Sequence, residues 1–140
     1  WLETNGVSIL GWQCDELPAF YSPKSGLLVD ERIETPEEAA RIAQSRDELN
    51  LPNAILVAVP VPAEFEVEAT QLEKILSEAL SFAAEKNVRG KEITPFLLAQ
   101  MSEKSAGKTL SANIALLENN AKIAAQIAVS LSGTHRTAKF

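Results

Sequence analysis

The sequence has little of the material from which redox sites and transition-metal sites are built. Its 140 residues include one cysteine, Cys14, and one histidine, His135. An intramolecular disulfide and a metal site of cysteine and histidine ligands are therefore excluded, and a bound metal would need carboxylates or water. The lack of disulfides favours a reducing compartment, which predicts an intracellular, cytoplasmic location and leaves a mitochondrial one open.

Basic runs and long apolar runs are also missing. The net charge is −6, and the lysines and arginines are scattered, which argues against binding to a nucleic acid polymer. A free anionic nucleotide needs only local donors, such as one lysine or a helix N-terminus, so it stays open. No apolar run approaches the roughly 20 residues of a membrane-spanning helix. The sequence therefore predicts no interaction with a membrane.

Apolar periodicity and helix-stop signals predict two strands and four helices. The predicted strands are 7–12 and 54–59, the predicted helices are 36–49, 68–86, 95–105 and 110–131, and the polar tail 132–140 is predicted to be flexible. Thr35, Pro36 and Glu38 form a capping-box signature at the start of the first helix. The strand-helix-strand order implies an α/β fold with short parallel strands and flanking helices.

Two strands are too few to make a stable sheet. The chain also opens at Trp1 in what resembles the last turn of a helix, ended by Asn5 and Gly6. We therefore expect a segment before residue 1 to supply the rest of the sheet, and we expect exposed apolar surface on the isolated chain.

A long loop, 13–35, follows the first predicted strand, where open α/β sheets bind ligands. Asp15 and Glu16 have side chains suited to acid–base work. The hydroxyl groups of Tyr21 and Ser22 suit a phosphate or a sugar. The alternative interpretation is a polar surface loop with one aromatic anchor.

Two further segments carry candidate binding residues. Lys91 and Thr94 precede a predicted helix start, where backbone N–H groups suit an anion; alternatively, Thr94 only caps the helix and Lys91 is solvated. Asn113 lies near the start of the last helix, where its amide serves either a ligand or a local hydrogen bond. Cys14 is expected to be an inert, buried thiol, and His135 to lie in the tail without a catalytic role.

Three segments together resemble the pseudouridine-5′-phosphate glycosidase family, also called indigoidine synthase A-like. They read DELPAFYSPKSGL (15–27), GKEITPFLLAQ (90–100) and GKTLSANIALLENNAKIAAQIA (107–128). The resemblance implies that residues 1–131 form the C-terminal part of one three-layer α/β/α domain. It also implies the family's reaction, which reversibly joins uracil and ribose 5-phosphate into pseudouridine 5′-phosphate.

In that family, a lysine holds the ribose as a Schiff base, a glutamate donates a proton, Mn²⁺ sits by an aspartate, and the enzyme is a homotrimer. The positions of these three residues precede residue 1 of this chain. The resemblance therefore assigns no catalytic residue and no metal ligand within it. The alternative function is a non-catalytic truncated isoform or remnant that binds nucleotide or associates with full-length subunits.

Asn113 matches an asparagine that contacts substrate in the family and is the foremost candidate for substrate binding. Lys91, Thr94, Tyr21 and Ser22 lie in stretches that resemble the family's pocket or its rim, and they are the remaining candidates. Val59 departs from the family, which usually has asparagine at this strand end. The hydrogen bonds of that asparagine are absent here.

Overall fold

The computed structural model describes the chain through residue 137, with side chains through residue 133. The strands are β1 (Ser8–Trp12), β2 (Glu31–Ile33) and β3 (Ile55–Ala58), and the helices are α1 (Pro36–Glu48), α2 (Ala69–Glu85), α3 (Ile93–Lys104) and α4 (Lys108–Thr137). Short 3-10 turns precede β1, α2 and α3. The predicted α/β class, with parallel strands and flanking helices, is confirmed.

The three strands form a parallel sheet in the order β2-β1-β3, with β1 in the centre. Trp12 of β1 pairs with Ile33 of β2, and Gly11 pairs with Ala58 of β3. Since all three strands run in the same direction, their carboxyl ends meet at one edge of the sheet. That edge is where ligands bind in open α/β sheets.

Strand β2 is the element that the sequence does not predict. Glu31 and Arg32 are exposed, and only Ile33 is buried, so neither an apolar run nor a long alternation marks this strand. It pairs with β1, and the exposed Arg32 guanidinium lies 3.0 Å from the Asp15 carboxylate and also pairs with Glu34. Tertiary contacts outweigh local propensity at this edge strand.

Two apolar clusters hold the helices in place. The first joins the sheet to α1 and α4 and consists of Leu10, Trp12, Ile33, Ala39 and Ile123. The second joins the 13–30 loop to α2, α3 and α4 and consists of Tyr21, Val61, Val67, Ile75, Ala79, Met101 and Ala112. Helix α4 contributes to both clusters, so it fixes the sheet relative to the α2–α3 pair.

The start of α1 has the predicted capping box. The Thr35 hydroxyl accepts a hydrogen bond from the Glu38 backbone N–H, and the Glu38 carboxylate accepts from the backbone N–H groups of Glu34 and Thr35. The hydrogen bond from Glu34, followed by that from Thr35, lowers the pKa of Glu38. This end of α1 is thus specified by neighbouring residues alone.

Three helix ends differ by two residues or more from the predictions, and one of them is the start of α4, at Lys108 and not at residue 110. Helix α3 begins at Ile93, directly after the 3-10 turn Gly90–Glu92, and no side chain caps it. The predicted cap at Thr94 is therefore wrong, because Thr94 already lies inside the helix. Helix α4 continues through Thr137, beyond its predicted end at residue 131. The last residues of the predicted flexible tail, 138–140, lie outside the described part of the chain.

Large apolar side chains remain exposed on α4. Leu110, Ile114 and Leu117 are 52%, 49% and 61% exposed, and their spacing places them on one helix face. The expectation of exposed apolar surface is confirmed. Among residues 1–137, no helix combines the length and the apolar character needed to cross a bilayer.

Candidate functional site

A cavity of about 460 Å³ lies at the carboxyl ends of β1 and β3. Its lining residues are Trp12, Gln13, Pro60, Pro62, Ala63, Asn119, Lys122, Ile123 and Gln126. We call it the strand-end cavity. It has the location at which open α/β sheets bind ligands, and its size falls in the roughly 300–1,000 Å³ range of small-molecule sites.

Gln13 forms the wall of this cavity where β1 ends. Its φ of 54° lies in the left-handed region, which few residues other than glycine adopt. Its backbone N–H donates to the Ile33 carbonyl at 2.8 Å, and its side-chain amide donates to the Glu34 carbonyl at 3.3 Å. Strained backbone of this kind concentrates at functional sites.

Helix α4 supplies the opposite wall. Asn119, Lys122 and Gln126 are spaced three and four residues apart and share one helix face. The Asn119 amide donates to the Pro60 carbonyl at 3.3 Å, which fixes α4 against the segment after β3, while Asn120 is exposed. Lys122 and Gln126 are not among the residues predicted from the sequence, although their helical spacing from Asn119 is a signal that could have found them.

Val59 lies close to the same edge of the sheet. It is half-buried and packs against the cluster of Leu10, Trp12, Ile33 and Ile123. The polar groups of the strand-end cavity therefore come from Gln13 and α4, not from residue 59. This arrangement offers amide donors and acceptors for sugar hydroxyl groups or a nucleobase, together with one ammonium group.

Tyr21 and Ser22 lie in the interior. Burial raises the pKa of Tyr21, and a hydrogen bond between its phenolic oxygen and the Thr109 side chain partly opposes that shift. The Ser22 hydroxyl donates to the Glu66 carboxylate at 3.3 Å and accepts from the Lys24 backbone N–H. Both hydroxyl groups are thus engaged within the protein, and their predicted contacts with substrate stay predictions.

The two acidic residues of the same loop hold its base together. Asp15 pairs with Arg32 at 3.0 Å. The Glu16 carboxylate accepts hydrogen bonds from the backbone N–H groups of Ser25 at 2.9 Å and Gly26 at 2.7 Å. The Gly26 bond, followed by the Ser25 bond, lowers the pKa of Glu16. A carboxylate held ionised in this way is a poor proton donor at neutral pH.

We call the two hydrogen bonds that the Glu16 carboxylate accepts from Ser25 and Gly26 the Glu16 clasp. The clasp predicts that the 13–35 loop opens as the pH falls. The pKa of the Glu16 carboxylate in the folded protein is below its ordinary value of 4.5. The clasp is therefore complete above pH 4.5 and is lost as the pH falls through the lowered pKa. We expect the Glu16→Gln variant to show lower protection of the Ser25 and Gly26 amides at pH 7, with a weaker pH dependence, because a neutral acceptor forms weaker hydrogen bonds.

Hydrogen exchange followed by NMR would measure this protection, corrected for the intrinsic pH dependence of exchange. Glu31→Gln is the matched control, since Glu31 is an exposed glutamate on β2. Equal protection of both amides in the wild-type protein and in the Glu16→Gln variant would contradict the clasp.

A larger groove, of about 750 Å³, lies between the 19–26 segment, α2 and α3. Its walls are mainly apolar, from Phe20, Leu72, Leu76, Leu97, Leu98 and Met101. Three predicted substrate-binding residues, Tyr21, Ser22 and Thr94, line it. Because its walls present few free polar groups, the groove has the character of a packing surface, and we place the candidate site at the strand-end cavity.

The two other predicted binding residues lie apart from both cavities. Lys91 is exposed in the 3-10 turn before α3, and Asn113 is half-buried on α4. Neither lines the strand-end cavity or the apolar groove. The structure thus does not gather the predicted residues into one site, and the roles of Lys91, Thr94 and Asn113 toward substrate stay predictions.

The described residues form neither an activated thiol nor a cluster of metal ligands. Cys14 is buried, and desolvation raises the pKa of its thiol, which favours the inert thiol that the sequence analysis expects. Among residues 1–133, no three His, Cys, Asp or Glu side chains are close enough to hold a metal ion. The described residues therefore do not fit an Mn²⁺ site, and the side chain of His135 lies outside them.

The fold and the cavity define a class of protein: a parallel α/β sheet with a polar ligand cavity at the carboxyl ends of its strands. The family described as indigoidine synthase A-like protein matches residues 1–130. The chain belongs to this family, and the resemblance inferred from its three motifs is confirmed.

Curated relatives in this family carry the name pseudouridine-5′-phosphate glycosidase. The relative from Caldanaerobacter subterraneus is 42% identical over 138 residues, which is 99% of this chain and 45% of the relative. The relative from Staphylococcus aureus is 44% identical over 132 residues, which is 94% of this chain and 43% of the relative. The chain thus spans somewhat less than half the length of these relatives.

Two solved structures share the fold. A prealnumycin C-glycosynthase, crystallised with ribulose 5-phosphate, superposes with a TM-score of 0.84 at 27% identity, covering 97% of this chain and 45% of that protein. An indigoidine synthase A-like protein from Thermotoga maritima superposes with a TM-score of 0.81 at 43% identity, covering 93% of this chain and 42% of that protein. The arrangement of strands and helices is therefore that of the family.

Proposed function

We propose that this chain is the C-terminal part of a pseudouridine-5′-phosphate glycosidase. The observation that carries the proposal is its 42–44% identity, over nearly its whole length, to relatives with that name. In the reaction, the carbon–carbon bond between the ribose C1 and uracil breaks. Water supplies the oxygen that C1 gains and the hydrogen that uracil gains, giving uracil and ribose 5-phosphate.

The chemical step depends on groups outside this chain. We propose a lysine that forms a Schiff base with the ribose, a glutamate that donates a proton and a carboxylate that holds Mn²⁺, all on residues before Trp1. The chain's own contribution is to bind and orient the substrate at the strand-end cavity.

We further propose that the complete protein is a cytoplasmic homotrimer. The exposed apolar face of Leu110, Ile114 and Leu117 on α4 supports contact with more protein, either elsewhere in the same subunit or in another one. Analytical ultracentrifugation of the complete gene product would measure the subunit number.

Uracil release from pseudouridine 5′-phosphate in the presence of Mn²⁺ tests the proposed activity directly. We expect turnover by the complete gene product and none by residues 1–140 alone. The product is separated chromatographically and measured by its ultraviolet absorbance. A complete gene product without turnover would contradict the glycosidase and favour the non-catalytic alternative, whereas turnover by the 140-residue chain would show that the reacting groups lie within it.

A further inference from the structure

The pair Asn5–Gly6 is the one place in the chain where glycine directly follows asparagine. Both residues are exposed, and the short 3-10 turn Glu3–Asn5 that precedes Gly6 contains no buried residue. Asparagine is a thermolabile residue. Glycine has no Cβ atom, so its backbone nitrogen is open to approach by the preceding side chain. Steric hindrance between an asparagine amide and the next backbone nitrogen is therefore lowest at this pair.

The fold itself favours glycine at position 6. The φ of Gly6 is 66°, in the left-handed region that glycine adopts without strain. A Cβ atom on this residue would lie 2.1 Å from Nδ2 of Asn53. The Asn53 amide donates a hydrogen bond to the Gly6 carbonyl at 2.8 Å, which joins the segment before β1 to the segment before β3. The Asn5–Gly6 pair is thus part of the connection between two strands.

Two hydrogen bonds hold the Asn5–Gly6 pair in a closed form. The Asn5 side-chain amide donates to the Trp1 carbonyl at 2.7 Å, and the Gly6 backbone N–H donates to the Glu3 carbonyl at 2.9 Å. The Gly6 nitrogen has to leave its acceptor, and the Asn5 side chain has to turn, before the two groups can react. A short turn without buried side chains opens at a low cost in free energy, so local opening controls the reaction.

We propose that Asn5 is a site of spontaneous deamidation, which converts it to isoaspartate and aspartate. The Gly6 nitrogen loses its proton to water and forms a bond to Cγ of Asn5, while the Cγ–Nδ2 bond breaks. Nδ2 takes up one proton from water and leaves as ammonia, and a succinimide ring remains. Water then opens the ring by adding OH to a carbonyl carbon and hydrogen to the nitrogen. Opening at the backbone carbonyl gives isoaspartate, and opening at Cγ gives aspartate.

Isoaspartate changes the path of the main chain, which then runs through Cβ and Cγ and gains one carbon. The extra atom displaces two groups that the turn aligns. They are the Val7 N–H, which donates to the Leu2 carbonyl at 3.0 Å, and the Gly6 carbonyl, which accepts from Asn53. Both contacts lie at the amino ends of β1 and β3, whereas the strand-end cavity lies at the carboxyl ends. We therefore expect a loss of stability without a loss of ligand binding.

Incubation of the complete gene product at mildly alkaline pH, followed by peptide mapping with mass spectrometry, measures the conversion of each asparagine. Asn50 and Asn87 are matched controls within the same protein, since each is exposed and follows a helix, but leucine and valine come next. We expect Asn5 to be converted about tenfold faster or more, which corresponds to a barrier lower by about 1.4 kcal/mol. The rate should rise with pH, because the Gly6 nitrogen must lose a proton.

The consequence for the fold is measured on the same incubated samples. We expect the wild-type protein to lose stability in urea unfolding and to keep its affinity for ribose 5-phosphate in calorimetric titration. The Asn5→Ser variant, which lacks the reactive amide, should lose no stability on incubation. Equal conversion of Asn5, Asn50 and Asn87 would overturn the proposal, and so would an incubated wild-type protein without isoaspartate at position 5. None of these outcomes depends on the proposed function, since uracil release is not measured.

Discussion

Replacing Gly11 with alanine is expected to destabilise the protein by about 3 kcal/mol, the upper part of the range for overpacking a core. A Cβ atom on Gly11 would lie 2.1 Å from the Cys14 carbonyl oxygen and 3.0 Å from Cγ2 of Val29. The first of these atoms is backbone, so the clash cannot be relieved by a rotamer change. Gly11 also pairs with Arg32 on one side and Ala58 on the other, which leaves β1 little freedom to move.

The midpoint and slope of urea unfolding for the complete gene product would measure this loss. Gly133→Ala is the control, because no atom lies within 4 Å of its new Cβ and alanine stabilises a helix by about 0.5–1 kcal/mol over glycine. A Gly11→Ala variant as stable as the wild-type protein would show that the segment after β1 moves aside without cost.

The same close approach links Gly11 to the candidate site. Cys14 follows Gln13, whose left-handed backbone forms one wall of the strand-end cavity. Displacement of the Cys14 carbonyl would therefore shift Gln13 as well. We expect any folded Gly11→Ala protein to bind ribose 5-phosphate more weakly, although residue 11 does not line the cavity.

The elements that the sequence predicts are those specified by neighbouring residues. The capping box of Thr35 and Glu38 is complete within four positions, and the structure begins α1 where it indicates. The apolar run before Pro60 likewise gives β3. In each case the physical cause is contained in one short window of sequence, through a cap or a periodicity.

The features that the sequence does not predict depend on distant residues. Strand β2 has one buried side chain and is held by its pairing with β1. The start of α3 follows a 3-10 turn with no side-chain cap, so nothing local marks it. The strand-end cavity is lined by residues far apart in the chain, such as Asn119 and Pro60, whose amide and carbonyl form a hydrogen bond across 59 residues.

The candidate site shows the same division between local and distant causes. The family motifs predict site residues at Asn113 and in the 15–27 loop, since those segments carry the resemblance. Lys122 and Gln126 belong to the same motif on α4, but only the packing of α4 on the sheet shows which face of the helix meets the carboxyl ends of β1 and β3. A pattern of residues on a helix does not by itself say what the helix packs against.

Replacing Tyr21 with alanine is expected to destabilise the protein by about 3–5 kcal/mol, the usual cost of removing a large buried aromatic side chain. Tyr21 is 7% exposed and packs in the cluster of Val61, Val67 and Met101. Its ring contacts that of Phe20 edge to face, with centroids 4.7 Å apart. Its carbonyl also accepts a hydrogen bond from the Val67 N–H, so the residue anchors the loop.

The Tyr21→Phe variant separates this anchoring role from the predicted contact with substrate. Loss of the hydroxyl removes one hydrogen bond with Thr109, while Thr109 keeps its contact with the Ser105 hydroxyl at 3.1 Å. We therefore expect a loss of only about 1 kcal/mol in unfolding free energy. The affinity for ribose 5-phosphate should not change, because the hydroxyl is already engaged inside the protein.

Calorimetric titration and urea unfolding of the same Tyr21→Phe protein decide between the two roles. Unchanged stability with a markedly weaker affinity for ribose 5-phosphate would show that the hydroxyl meets the ligand, as the sequence analysis predicted. That result would also assign ligand binding to the apolar groove, which Tyr21 lines together with Ser22 and Thr94, and not to the strand-end cavity. A modest stability loss with unchanged affinity would leave Tyr21 as the anchor of the loop, with binding at the carboxyl ends of the strands.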